Sequence, residues 1–238
     1  MHAVWPFIPY LLRGFVVTIQ LSALATALMI PAAFALGLCR RSDRWYLWRP
    51  AAFIVEFFRG SSALVQLFWA FYALPLLGVR LSPLLVAILV LGLNEAAYSS
   101  EAVRASLKTV SDGQLEAAKS IGLSPVRTFF TVTLPQALPV LIPSMGNAII
   151  GMTRLTALAS LVTVQELTFR AQNVVTTTTK STAVYTIALV LYLALSLVLA
   201  GLIRLVETWV SRHYGFSKSA EAAARATSAA VSQTVLAP

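Results

Sequence analysis

The chain has 238 residues, of which 58% are hydrophobic and only 11% charged, with a net charge of +9 and a mean hydropathy of +0.78. A soluble domain carries about 25% charged residues, so this composition excludes a globular soluble protein and points to an all-α integral membrane bundle of about five or six spans. The positive balance is not a nucleic-acid footprint, because the basic residues sit between apolar runs, where the positive-inside rule places them. The single Cys39 excludes an internal disulfide or a cysteine-based metal cluster and reads as packing within a span.

In chain order, His2 to Leu12 carries Trp5, Pro6, Pro9 and Tyr10 and reads as an interfacial lead-in, not as a cleaved signal peptide: it has no basic leader and the apolar run is too long. Gly14 to Cys39 is an uncharged first span. Arg40, Arg41, Arg44 and Arg49 follow against one acid, Asp43, which marks a cytoplasmic loop and puts the N-terminus outside. Phe53 to Arg59 is an interfacial approach to a second span, Gly60 to Val79. The third span, about Ser82 to Arg104, contains Glu95 and Glu101, and Arg104, Lys108, Lys119 and Arg127 place the next stretch inside. Pro135, Pro139 and Pro143 suggest a fourth span starting near Pro139–Pro143 and ending near Thr163. Glu166 to Lys180 reads as a polar outside loop and Ser181 to Ile203 as a fifth span, with Arg204, Arg212 and Lys218 inside. Residues 1–218 then form the transmembrane domain, and the Ala-rich stretch 219–238 a mobile cytoplasmic tail. Five spans keep every basic cluster on one side; an even number would not. No internal repeat of the secondary-transporter kind is visible.

The longest polar interruption is residues 113–137. A short helix is expected from Gln114 to Ile121, a stop at Gly122, a restart at Pro125, and a second amphipathic piece ending at Leu134-Pro135. Within it stand Glu116-Ala117-Ala118, Gly122 three residues on, and, after nine more, Val132, Leu134 and Pro135. This resembles the coupling motif of ATP-binding-cassette (ABC) importer permeases, with Val132 where Ile is usual. The resemblance runs from about Leu11 to Tyr214. Phe58-Arg59-Gly60, Leu64-Val65-Gln66-Leu67, Leu93-Asn94, Ala97-Tyr98, Glu101, Gly113-Gln114, Leu134-Pro135-Gln136-Ala137 and Glu166-Leu167 look like the polar amino acid subfamily, in which five spans are typical.

The resemblance implies a type I importer permease fold in a bacterial inner membrane. Gly113 to Leu123 would be a coupling helix, within a loop of about 108–137, that seats in a groove of an ATPase subunit. The implied partners are an ATPase dimer, a second permease subunit (identical or related), an extracytoplasmic solute-binding protein and membrane lipid. No cofactor is implied on this chain, and ATP with Mg²⁺ would bind the ATPase. The residue chemistry agrees. Glu116 offers one anchoring charge near a helix N-terminus, Ala117 and Ala118 let a partner surface approach closely, and Gly122 allows a sharp turn. A narrower resemblance, to ectoine and hydroxyectoine permeases, rests on Arg59 to Trp69 and on Thr156-Ala157-Leu158. Polar amino acid permeases often read Lys-Asp-Thr-Ser-Leu at the second site, whereas here it is Arg154-Leu155-Thr156-Ala157-Leu158. The departure at Leu155 points to an ectoine-type solute, with polar amino acids as the alternative.

Two ionisable residues fall near the middle of spans, Glu95 in the third and Arg154 in the fourth. A charge there costs about 2.5–3.5 kcal/mol on insertion scales, so each needs a partner or a cavity. They pair with each other, pair with the partner subunit, or meet a zwitterionic solute, Arg154 taking its carboxylate and Glu95 its cationic end. Asn94, Tyr98 and Glu101 share one helical face at i, i+4 and i+7, which lines the pathway or packs on a partner. Gln66 and Thr156 are similar candidates, and Arg59 is expected to snorkel to the interface. There is no phosphate-binding glycine loop and no catalytic constellation. His2 and His213 stand alone, and Ser61-Ser62 and Ser99-Ser100 suit hydrogen bonds across helices.

Overall fold

In the computed structural model, residues 2–213 are described, and their regular structure is helical throughout. The stretch 219–238 lies outside the described residues. A 3₁₀ turn, His2–Phe7, leads into α1 (Ile8–Arg41). There follow α2 (Trp45–Gly60), α3 (Ala63–Phe68), α4 (Pro83–Leu107), α5 (Asp112–Ser120), α6 (Pro125–Thr128), α7 (Leu134–Leu155), α8 (Leu167–Thr178) and α9 (Ser181–His213). The chain divides into two compact units, Met1–Ala105 with Ser144–Gly201, and Ser106–Pro143 with Leu202–Pro238.

Among the described residues, four segments are long and apolar enough to cross a bilayer: Trp5–Arg41, Pro83–Leu107, Pro125–Val162 and Ser181–Arg212. A fifth crossing requires α2 and the following segment to act together, and these meet at an angle of 100°. The expected continuous span Gly60 to Val79 is therefore corrected. The helix breaks at Ser61–Ser62, restarts at Ala63, widens into a π turn at Trp69–Ala73 and ends as a 3₁₀ turn at Leu74–Leu77.

In the first unit α1 is the central post. Its 34 residues extend about 50 Å, well beyond the roughly 30 Å hydrocarbon core. Its buried residues, Leu11, Gly14, Thr18, Leu21, Ser22, Ala25, Met29, Ala33 and Gly37, recur every three or four positions. Most are small, which in a membrane lets helix backbones approach closely. A Cβ at Gly37 would lie 3.0 Å from the Ser100 carbonyl oxygen of α4, and one at Gly92 of α4 would lie 3.1 Å from the Ala25 carbonyl oxygen of α1. At the other end of α1, a Cβ at Gly14 would meet Leu167 Cα of α8 at 3.0 Å. Two apolar clusters follow from this packing. One joins Leu21, Leu67, Val86, Val90 and Val162; the other joins Leu11 to Leu167, Ala171 and Val174 of α8 and to Val184 and Ala188 of α9.

Two further expectations change. The fourth span does not begin at Pro139–Pro143, because α7 starts at Leu134 with both prolines inside it. Their four-residue spacing is the reason. The N–H missing at Pro143 would have bonded Pro139 and that missing at Pro139 would have bonded Pro135, so the losses fall along one stripe and the rest of the helix keeps its ladder. Glu166 to Lys180 is not a loop. Glu166 caps α8 by accepting from Phe169 N at 2.8 Å, and Leu167, Ala171 and Val174 bury one helical face. The threonines that read as loop bond back within the helix: Thr176 and Thr177 to the Asn173 carbonyl and Thr178 to the Val174 carbonyl.

The close contact makes a paired prediction. Gly37→Ala should destabilise the purified protein by about 1–3 kcal/mol through overpacking. Gly201→Ala, in the first unit with nothing within 4 Å of an added Cβ, should be neutral or stabilising by up to about 1 kcal/mol. Thermal unfolding in detergent compares the two, and equal shifts would refute the packing assignment.

Candidate functional site

The second unit contains the motif stretch, and its local structure follows from sequence. α5 starts after Ser111 with Asp112 in its first turn. It ends in a left-handed turn at Gly122, φ 78°, where Leu123 N donates to the Ala118 carbonyl at 3.1 Å and Gly122 N to the Lys119 carbonyl at 2.9 Å. This is a Schellman closure, which favours glycine because a Cβ is strained at that φ. Ser124 then caps α6, accepting from Arg127 N at 3.4 Å, with Pro125 in the first turn. The second amphipathic piece does not end at Leu134-Pro135. A π turn, Phe129–Thr133, passes directly into α7, placing Pro135 where a missing N–H is tolerated.

The motif side chains divide. Glu116 and Ala117 are exposed, Leu134 and Pro135 half-buried, and Ala118 is 2% exposed. Of the two alanines expected to admit a partner, only Ala117 presents a surface. Ala118 is small because it faces its own protein. Ile121, Val126 and Phe130 stand exposed around the turn.

In the first unit, the α4 face of Asn94, Tyr98 and Glu101 meets the broken end of α2. Asn94 Nδ2 donates to the Phe58 carbonyl at 2.9 Å and to Gln66 Oε1 at 3.2 Å. Gln66 Nε2 donates to the same carbonyl at 3.0 Å and to Ser61 Oγ at 2.7 Å. Ser61 Oγ donates to the Phe57 carbonyl at 2.7 Å, and Tyr98 OH to the Arg59 carbonyl at 3.2 Å. The carbonyls that a helix end leaves without partners are thus met by side chains. Arg59 does not simply snorkel: it donates to Glu101 at 3.2 Å and lies over the Tyr98 ring at 5.5 Å. Glu101 also accepts from Arg40 and, at 2.9 Å, from Arg104, joining α1, α2 and α4. Thr156 is fully buried and donates to the Thr153 carbonyl at 2.7 Å, so its hydroxyl is occupied within its own turn.

Glu95 is half-buried and Arg154 exposed. Among the described residues neither makes a hydrogen bond or ion pair, so the expected direct Glu95–Arg154 pair does not form within the chain.

Sequence reasoning missed one centre. Glu166 is fully buried and receives the Tyr192 hydroxyl of α9 at 2.6 Å, with Thr18 Oγ1 of α1 at 3.3 Å. Burial pushes its carboxyl up from the ordinary glutamate range, while the Tyr192 hydroxyl opposes that rise. Three elements share this carboxyl, and their positions are too far apart in sequence for a local signal. Among the described residues no cluster of His, Cys, Asp and Glu could hold a metal ion.

Replacing Asn94 with Leu should destabilise the protein by about 1–3 kcal/mol, because the Phe58 and Gln66 oxygens lose a buried donor. Thermal unfolding of purified N94L measures it, and an unchanged midpoint would show that the cap at the helix break carries no energy.

Residues 29–212 match the model of the family described as "Binding-protein-dependent transport system inner membrane component". The chain is 39% identical over 209 residues to the probable amino-acid ABC transporter permease protein y4tF of Sinorhizobium fredii, covering 85% of this chain and 88% of that one. It is 36% identical over 212 residues to the octopine transport system permease protein OccM of Rhizobium radiobacter, covering 85% and 86%. Among solved structures, a crystal structure of an amino acid ABC transporter with histidines superposes with a TM-score of 0.79 at 27% identity, covering 86% of this chain and 96% of that one. The all-helical fold, the broken second crossing and the Schellman-closed motif helix thus occur in a chain that belongs to the family of binding-protein-dependent transport system inner membrane components, a multi-pass membrane permease subunit and not itself an enzyme.

Proposed function

We propose that this chain forms the translocation path of an ATP-driven importer for a small amino acid or amino-acid derivative carrying both charges. It assembles with an identical or related permease, with an ATPase dimer in the cytoplasm, and with a solute-binding protein outside. The N-terminus faces outside and the C-terminus the cytoplasm, because the basic clusters then share the inner side. Residues 1–218 are the transmembrane domain, with the coupling loop at about 108–137. The chain needs no cofactor of its own, since ATP and Mg²⁺ act on the ATPase.

The single observation that carries the solute reading is the pair of unpartnered opposite charges, Glu95 and Arg154, on membrane-spanning helices. An ionised group left alone at that depth is costly, and a zwitterionic solute would supply both partners. Gln66, Asn94, Tyr98, Glu101 and Thr156 line the path in this reading, with polar atoms that also hold its walls together. Relatives described as amino-acid and octopine permeases support an amino-acid-type cargo. An ectoine-type solute is the second reading, favoured by Leu155 in place of the acid that polar amino acid permeases often carry. Binding measurements on the associated solute-binding protein, with ectoine against polar amino acids, decide between them.

Energy enters through α5. Glu116 and Ala117 face outward, Gly122 fixes the turn, and Leu134 and Pro135 begin the helix beyond. ATP hydrolysis on the partner would move this element and switch the spans between outward- and inward-facing states.

Two outcomes are expected. A Glu116→Lys, Gly122→Val double variant should insert into the membrane yet fail in ATP-dependent uptake; normal uptake would sink the coupling assignment. Glu95→Gln and Arg154→Gln should each assemble with the ATPase but slow uptake by about tenfold to a hundredfold, the worth of a charge-assisted hydrogen bond. Wild-type rates in both would remove these residues from the path.

A further inference from the structure

A cavity of about 580 Å³ opens between the N-terminal lead-in and the start of α9. Its lining is ordered along the helix axis. Lys180, Ser181 and Thr182 stand at one end, while Ile187, about 10 Å further along α9, and Ile8 and Trp5 form an apolar wall. Among the described residues none of its lining is acidic. The polar end is short of partners: among the described residues Lys180 has no ion pair and the Ser181 and Thr182 hydroxyls make no hydrogen bond. Lys180 and Trp5 are exposed. α9 is the most apolar of the spans, at a hydropathy of 2.6, and only 6% of its apolar window is buried. Its flank is therefore left uncovered by this chain and is apolar enough to meet lipid.

We propose that this cavity binds one anionic phospholipid, with the headgroup phosphate on Lys180 and the two free hydroxyls and an acyl chain along Ile187 and Ile8. Beyond the polar end the α9 wall is Ala183 and Ile187, with the Thr186 hydroxyl taken up by the Thr182 carbonyl, an order of chemistry that a small polar solute would not match. A phospholipid has that order of chemistry, and Trp5 supplies the aromatic ring favoured at the membrane–water boundary. The charge selects an anionic headgroup over a zwitterionic one.

The test uses the full chain assembled with its ATPase subunit in nanodiscs of phosphatidylcholine containing a minor fraction of phosphatidylglycerol. Phosphatidylglycerol retained after detergent extraction is counted by native mass spectrometry. The wild type should retain phosphatidylglycerol in preference to phosphatidylcholine, and Lys180→Gln should weaken that retention about fivefold, as expected for one cation near the headgroups. Ile187→Trp, which fills the apolar end and keeps the charge, should lower retention comparably, with both variants still assembling. Undiminished retention in either variant would overturn the proposal: in K180Q the headgroup contact fails, and in I187W the lipid lies on a charged surface and not in the cavity. Displacement of the lipid by inorganic phosphate alone would also overturn it, by making the site one for soluble anions.

Discussion

A helix that breaks leaves carbonyls without their helical partners, and side chains near the break between α2 and α3 answer that constraint. The chain turns through 100° there, and the carbonyls of Phe57, Phe58 and Arg59 find Ser61, Gln66, Asn94 and Tyr98. Ser61, Gln66 and Asn94 also bond one another, so the Phe57 and Phe58 carbonyls are held by one connected network, with Tyr98 holding the Arg59 carbonyl beside it. The same α4 face continues to Glu101, where guanidinium groups from α1 and α2 converge. One stripe of α4 thus places the end of α2 and ties it to α1.

A close-packed post makes this possible. With Gly37 and Gly92 at its crossings, α1 lies against α4 at backbone distance, so the polar network operates between helices that have little freedom to separate. At the opposite end the Glu166 carboxyl gathers the Tyr192 hydroxyl, the Thr18 hydroxyl and the first turn of α8. α1 thus donates to two acids from other elements, through Arg40 to Glu101 of α4 and through Thr18 to Glu166 at the start of α8. Against that background, Glu95 and Arg154 stand out by contrast. The fold satisfies Glu101 and Glu166 several times over and leaves these two alone. This contrast is a stronger argument for a path-facing role than either residue's depth, since depth alone would demand an internal partner.

Local features were legible in the sequence where a few neighbouring residues dictate geometry. Gly122 and Pro125 gave the end of one helix and the start of the next, because a left-handed turn and a first-turn proline have narrow residue requirements. The placement of arginines and lysines led to five crossings, where the structure has four long apolar segments and a fifth only if α2 and the segment after it count as one. Tertiary context decided the rest. Pro139 and Pro143 read as a helix start, yet their spacing lets α7 run through them. The threonines of α8 read as loop, yet their hydroxyls bond the helix's own carbonyls while Leu167, Ala171 and Val174 bury the other face. The Asn94, Tyr98 and Glu101 face was visible as a face, but what it meets depends on a bend that no local pattern announces. Ala118 shared the reading of Ala117 until burial separated them.

The two functional elements differ in how sequence encodes them. α5 and the turn after it depend on contacts within one short run, Ser111 to Arg127, so their geometry is written in local spacing. The charges proposed to face solute, Glu95 and Arg154, sit on α4 and α7, far apart in sequence, and among the described residues no hydrogen bond or ion pair fixes their identity. Replacing either leaves the helix break, the α1 crossings and the Glu166 centre intact. In the proposed reading, cargo selection changes by single substitutions at positions 95 and 154, while the helix break and the turn after α5 keep contacts of their own. The stretch around Glu116 then speaks for the energy input and leaves the solute open.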